Sequence, residues 1–258
     1  MRRSLAKARK LLPRRCRLDS ASSPMKLTYS HLDLIAFIVF VVCWFGYDWF
    51  ARRHSNDRPS LLTVMNPMRE RWFAQALTRD NRVVDSALVS NLLHSATFFS
   101  STTVLVLGSL IALLGSVDKT PDMFDKLPFV QQSSHQLLEG KIVLLILLFI
   151  YGLVKFTWSV RQFNFVTILI GALGPKAEAT TEDEDLSRRA AGIMKLAGEN
   201  FGQGLRAYYF ALPVLLWFVQ PVIFIIATLV VTAMLYRMEF RSRTLEVLSG
   251  KLYFFVRM

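Results

Sequence analysis

The sequence predicts an all-α membrane protein, a bundle of four transmembrane helices with amphipathic connecting helices. Three observations carry this. The 258 residues are 53% hydrophobic and only 19% charged, against about 45–50% and about 25% in a soluble domain. The apolar excess is gathered into four runs near the about 20 residues a helix needs to cross a bilayer. The net charge of +12 lies largely between those runs, where Lys and Arg set orientation and meet anionic lipid headgroups. A nucleic-acid surface would instead place a basic face among exposed aromatics on a soluble domain, so nucleic acid is not an expected partner.

Residues 1–24 carry eight Lys or Arg and one acid, Asp19. They hold too little apolar surface to fold and read as a basic, disordered extension. It is a cytoplasmic tail, a targeting segment, or a consequence of start-codon choice, since Met25 opens a shorter chain. The membrane domain is then 25–248, followed by a tail, 249–258. Cys16 and Cys43 fit no disulfide or zinc pattern.

The first span, 32–50, ends in a Trp44, Tyr47 and Trp49 belt followed by Arg52 and Arg53, as at a headgroup boundary. It is too long for a signal peptide. In the next connection, Asn66 followed by Pro67 suggests a helix start. Met68, Trp72, Phe73, Ala76 and Leu77 then share one face. That helix either lies in the interface plane or packs on the spans.

The second span, within 87–115 and taken as 90–115, holds eight Ser or Thr residues between Ser90 and Ser109. Hydroxyls survive in lipid by bonding their own backbone or a neighbouring helix. Gly108, Ala112 and Ser116 form a small-residue track that predicts close helix packing. The third span, 142–160, is interrupted by Lys155 and Arg161 and continues apolar to Gly174. Either one helix runs past the bilayer or a second segment begins. After it, Thr181 with Glu184 fits a capping box, opening a helix with Leu186, Ala190, Ile193, Ala197, Phe201 and Leu205 on one side. That explains the acidic cluster around Asp183 without a metal. The fourth span, 208–235, contains Pro213 and Pro221.

Four spans place both termini on one side. Positive charge then weakly favours a cytoplasmic location for the first and third connections, and counting residues 1–24 reverses the preference.

No phosphate loop, dinucleotide fingerprint, metalloprotease motif or nucleophile elbow occurs. The four histidines are too scattered for a metal site. No enzyme activity, cofactor or metal is therefore expected. Ionisable and polar groups near the spans are the better lead. Asp33 and Asp48 bracket the first span as interfacial acids. Asn91, His94, Ser100, Thr103 and Gln220 are the candidate polar intramembrane residues. They either line a polar route or hold helices together. Gln220, near the middle of the fourth span, is the deepest of them.

Several landmarks occur in a recognisable order. They are residues 65–115 from MNPMRERWF onward, FGQGLRAYYFALPVLLWF at 201–218, YRMEFRSRTL at 236–245 and WFGYDWF in the first span. These resemble the bacterial domain-of-unknown-function family numbered 599. The resemblance implies a multi-pass membrane protein of the bacterial inner membrane and carries over no site residue. The residues favour a structural, assembly or accessory protein, with a homo-oligomer or another membrane protein as partner. A transport-related or channel-like protein is the alternative, and a membrane-embedded enzyme stands third.

Overall fold

The computed structural model describes residues 24–53, 60–116, 135–174 and 180–249, all helix and short turns with no strand among them. The basic extension, most of the connection between the second and third spans, and the end of the tail lie outside these residues. The helices are α1 (Pro24–Arg53), α2 (Leu61–Ala76), α3 (Val83–Ser116), α4 (His135–Ala172), α5 (Thr181–Trp217), α6 (Pro221–Phe240) and α7 (Arg243–Leu248). Four stretches are long and apolar enough to cross a membrane: His31–Ala51, Val83–Ser116, Gln136–Ala172 and one beginning at Pro221.

The predicted fourth span divides. α5 ends at Trp217, and α6 begins after a turn at Gln220 (φ −161°, ψ 139°), with Pro221 at its first position. The residue before a proline is pushed out of the α region, and Pro at a helix start loses only a donor that would be unpaired anyway. The two helices then fold back on each other. Trp217 stacks on Phe224 with ring centroids 4.7 Å apart. At the other end, Arg206 bonds Glu239 at 2.8 Å. On one straight helix those two residues would stand roughly 50 Å apart at 1.5 Å per residue.

The same pairing logic fixes the other directions. α4 and α5 run antiparallel, joined at Lys141–Trp217, Ser159–Ala197 and, beyond the end of α4, Gly174–Asp183. α3 is antiparallel to α4, with Ser100 opposite Thr157 and Arg82 opposite Leu173. α1 meets α5 through Asp33–Trp217 and Asp48–Arg206. Five helices therefore share one layer. α5 is the central one and too polar to be picked out by hydropathy. The start of α1 and the end of α6 lie on opposite faces, which corrects the expectation of both termini on one side.

The apolar stretch His31–Ala51 of α1 and the 20-residue α6 are each about as long as the hydrocarbon is thick, and Arg53 and Arg241 stand at their ends. α3, α4 and α5 are 34, 38 and 37 residues long, roughly 50–57 Å. They project well past the layer on one side. α4 is one continuous helix through Lys155 and Arg161, so the third span and the apolar stretch after it are one helix rather than two segments. In the projection α2 packs on α5 through buried Phe73 and Ala76 rather than lying free in the interface.

Helix ends in this pillar are closed by side chains. α2 starts at Ser60, whose hydroxyl accepts from the Thr63 amide. Pro67 is inside the helix, not at its start, because an extended residue ahead of Leu61 was available to cap. The capping box is Thr180 with Asp183, one register earlier than Thr181 with Glu184. In a Thr-Thr pair the extended residue is the cap, and that is Thr180. Arg82 donates to the carbonyls of Ala76, Leu173 and Gly174, closing the ends of α2 and α4 together. Buried Asp85 accepts from Trp72 Nε1 at 2.7 Å and from Arg79. The exposed Arg189–Asp185 pair on α5 contributes little.

Gly204 is a required glycine. A Cβ there would sit 2.6 Å from the Phe156 ring, which is fully buried and packed by Phe99, Phe201 and Tyr208. Gly204→Ala is expected to destabilise by about 1–3 kcal/mol, as overpacking does. Melting of the detergent-solubilised protein tests this. Gly202→Ala, whose Cβ would have only Leu62 nearby at 3.9 Å, is the control. Equal melting of the two variants would contradict the packing account.

Backbone N–H bonds from Gly174 and Thr180, with the Thr180 hydroxyl and nearby Arg82, hold the Asp183 carboxyl below its usual range. A depressed carboxyl stabilises the fold above its unfolded pKa of about 4 and loses that stability as pH falls through its folded value. The Asp183→Asn protein should therefore lose less stability than the parent as pH drops below about 4. Parallel melting curves would count against the clamp.

Candidate functional site: a buried ionic network at the edge of the layer

At the face of the layer from which the pillar projects, three helices bring four polar side chains together. Arg206 of α5 donates to Asp48 of α1 at 3.3 Å and to both oxygens of Glu239 of α6 at 2.8 and 3.1 Å. Tyr47 donates its hydroxyl to Glu239 at 2.6 Å. The guanidinium also lies over the Tyr47 ring, 5.5 Å from its centroid. The Arg206, Asp48 and Glu239 side chains are about one-fifth exposed or less. One cation thus holds two carboxylates that would otherwise repel at low dielectric.

Beside it is a cavity of about 10 Å³ lined by Trp44, Tyr151, Gln203 and Phe210 among others, room for about one water. The buried Gln203 Oε1 has no hydrogen-bond partner, which such a water would satisfy. The polar line continues into the pillar. Lys155 donates to Asn200 at 3.3 Å, and Asn200 donates to Gln162 at 3.0 Å.

The opposite face has its own cluster. Lys141, 2% exposed, donates to the Trp217 carbonyl at 3.0 Å and lies over its ring. Trp217 Nε1 in turn donates to buried Asp33 at 2.6 Å. A cation on the last carbonyl of α5 complements the negative end of its dipole, at the residue where the helix stops.

The predicted polar residues do not converge. Asn91 and His94 are exposed on α3, in the projecting half rather than inside the layer. Ser100 is half-buried and reaches Thr157 at 3.3 Å. Thr103 is fully buried, bonded to its own helix at Phe99 and to the Tyr208 hydroxyl at 2.7 Å. Gln220 is exposed in the turn between α5 and α6, makes no side-chain cap bond, and is not deep. Gly108 and Ala112 face outward, and a Cβ on Gly108 would meet nothing within 4 Å. Among the described residues, Gly108 and Ala112 of the small-residue track therefore pack no other helix, while Ser116 is half-buried. Asp33 and Asp48, read as interfacial acids, are members of the two clusters. Arg206, Glu239, Tyr47 and Lys141 were missed. For Arg206, Glu239 and Lys141 the signal was charge beside or within an apolar stretch, but Arg206 fell before the fourth span, 208–235, and Glu239 after it.

Among the described residues no three His, Cys, Asp or Glu side chains gather as metal ligands. A family model described as "Protein of unknown function, DUF599" matches residues 35–244. No curated protein and no solved structure matches the chain.

Arg206→Ala should destabilise by more than the about 1 kcal/mol of an exposed pair and less than the about 3–5 kcal/mol of a fully buried one. Melting of purified Arg206→Ala and Arg206→Lys tests this. Lys restores the charge without the planar fork and should recover only part of the loss. Full recovery, or no loss in the Ala variant, would contradict the network.

Proposed function

Because the chain belongs to the DUF599 family of proteins of unknown function, we propose its role from its own residues: a structural, assembly or accessory protein of the bacterial inner membrane. It holds a pillar of α3, α4 and α5, with α2 packed on it, upright on the cytoplasmic face. The observation that carries this reading is how the polar groups of the layer are used. Arg206, Glu239 and Asp48 bond one another, Lys141 donates to the Trp217 carbonyl, Asp33 accepts from the Trp217 indole, and Thr103 bonds the Tyr208 hydroxyl and its own helix. The cavity beside them holds about one water, too little for a continuous polar route. In this reading the chain carries no catalytic centre, and its surface meets lipid, anionic headgroups and a protein partner.

Orientation follows from the folded-back α5–α6 pair. Among the described residues, fifteen Lys and Arg residues belong to segments on the pillar side and two, Lys26 and Lys141, to the other face. By the positive-inside rule the pillar side is then cytoplasmic.

In intact membranes, Thr103→Cys in a background with Cys16 and Cys43 replaced by Ser should resist a water-soluble, membrane-impermeant thiol reagent. Rapid labelling would favour a transport-related or channel-like protein instead. A reporter joined after Ser249 should be active only in the cytoplasm. Activity on the outer face would overturn the orientation.

A further inference from the structure

The outward stripes of two neighbouring helices end in arginine on the pillar side. On α1, exposed Ile35, Ile38, Val42, Phe45 and Trp49 step by three or four residues to exposed Arg53. On α6, exposed Ile226, Val230 and Met234 step in the same way to exposed Arg237 and Arg241, with exposed Arg243 just beyond. Residues so spaced share one face of a helix. Both stripes belong to stretches long and apolar enough to cross a membrane, so the arginines stand where the hydrocarbon ends. The two ends adjoin. The Phe50 ring packs on those of Tyr236 and Phe240, with centroids 6.1 and 5.9 Å away, and Arg53 lies about one turn further along α1.

These cations have no acid of the chain to neutralise them. Asp48 and Glu239, the carboxylates nearest in the fold, are turned inward onto Arg206. Among the described residues none of Arg53, Arg237, Arg241 and Arg243 forms an ion pair. Arg53 instead lies over the Trp49 ring, 5.5 Å from its centroid, at the border of its apolar stripe. Positive charge gathered at this level fits an anion that arrives with the lipid. A guanidinium fork matches two phosphate oxygens at once. A zwitterionic headgroup brings a cation of its own and leaves the cluster unneutralised. A headgroup such as phosphatidylglycerol brings only the negative charge. We propose that the adjoining ends of α1 and α6 form a binding site for the phosphate of an anionic phospholipid in the pillar-side leaflet. The site rests on the reading that the protein's surface meets anionic headgroups, and says where.

The full chain in a neutral detergent tests it. Added phosphatidylglycerol should raise the melting temperature saturably, as a ligand of the folded state does. Phosphatidylcholine and inorganic phosphate at the same concentration should not. Arg237→Gln combined with Arg241→Gln, and separately Arg53→Gln, should melt with the parent when no lipid is added. Each should then need more phosphatidylglycerol for the same rise, the double variant at least tenfold more. Arg188→Gln combined with Lys195→Gln removes two exposed cations of the α5 pillar and should need no more than the parent. The proposal is overturned by no rise in the parent, by an equal rise with phosphatidylcholine or inorganic phosphate, or by an unchanged response in the double variant. Equal weakening in the α5 variant, or a lowered lipid-free melting temperature in the α1 and α6 variants, would also overturn it. Either failure leaves the Thr103 labelling and the reporter result standing, so it is told apart from failure of the proposed function.

Discussion

A cation held between two carboxylates governs the architecture. Arg206 lies on the central helix, Asp48 on α1 and Glu239 on α6, so one guanidinium ties three elements at a single level. Taking any one of these charges out of water costs several kcal/mol unless a partner is in place. The alternatives that would separate them are therefore penalised. A continuous 208–235 helix is one of these, because it would strand Arg206 and Glu239 at opposite ends. The aromatic end of the same hairpin works with less charge. Trp217 stacks between Phe37 and Phe224 and gives its indole proton to Asp33, while Lys141 takes its carbonyl. The hairpin is thus pinned at two levels, roughly 17 Å apart along α5 and roughly 22 Å apart along α6 at 1.5 Å per residue.

Cations close helices elsewhere too. Arg82 satisfies the last carbonyls of α2 and α4, which water would otherwise have to reach. Arg69 lies flat where Gly198 has no side chain: a Cβ there would be 2.8 Å from the guanidinium. Burial pushes its pKa down, and nearby Glu199 opposes that shift. The pillar is consequently built as a folded domain with its own clamps, not as frayed ends of membrane helices. That makes it suited to present a surface beyond the layer.

Much of this was legible in the sequence and some was not, for physical reasons. Apolar runs disclose α1, α3, α4 and α6 because lipid demands them. They do not disclose where lipid stops. α3 has no Asp, Glu, Lys or Arg from Ser86 to Ser116, so Asn91 and His94 read as intramembrane groups when they stand in the pillar. The reversal after Trp217 is hidden because both arms are apolar. Gln220 followed by Pro221 was the local mark of it. The stripe on α5 was only partly right: Ala190 and Ala197 are buried, while Ser187, Met194 and Gly204 take places the apolar pattern had not assigned. Small and polar residues bury well when a ring or a carbonyl meets them, and hydropathy cannot see that.

The direct test of the account is the distance between α5 and α6. Spin labels at exposed Leu196 and Met238 of the full chain in nanodiscs would report it by pulsed dipolar spectroscopy. On one straight helix they would be roughly 60 Å apart at 1.5 Å per residue. The folded-back pair predicts less than about half that value. A single distance near the longer figure would contradict the hairpin, the Arg206 network and the orientation derived from them.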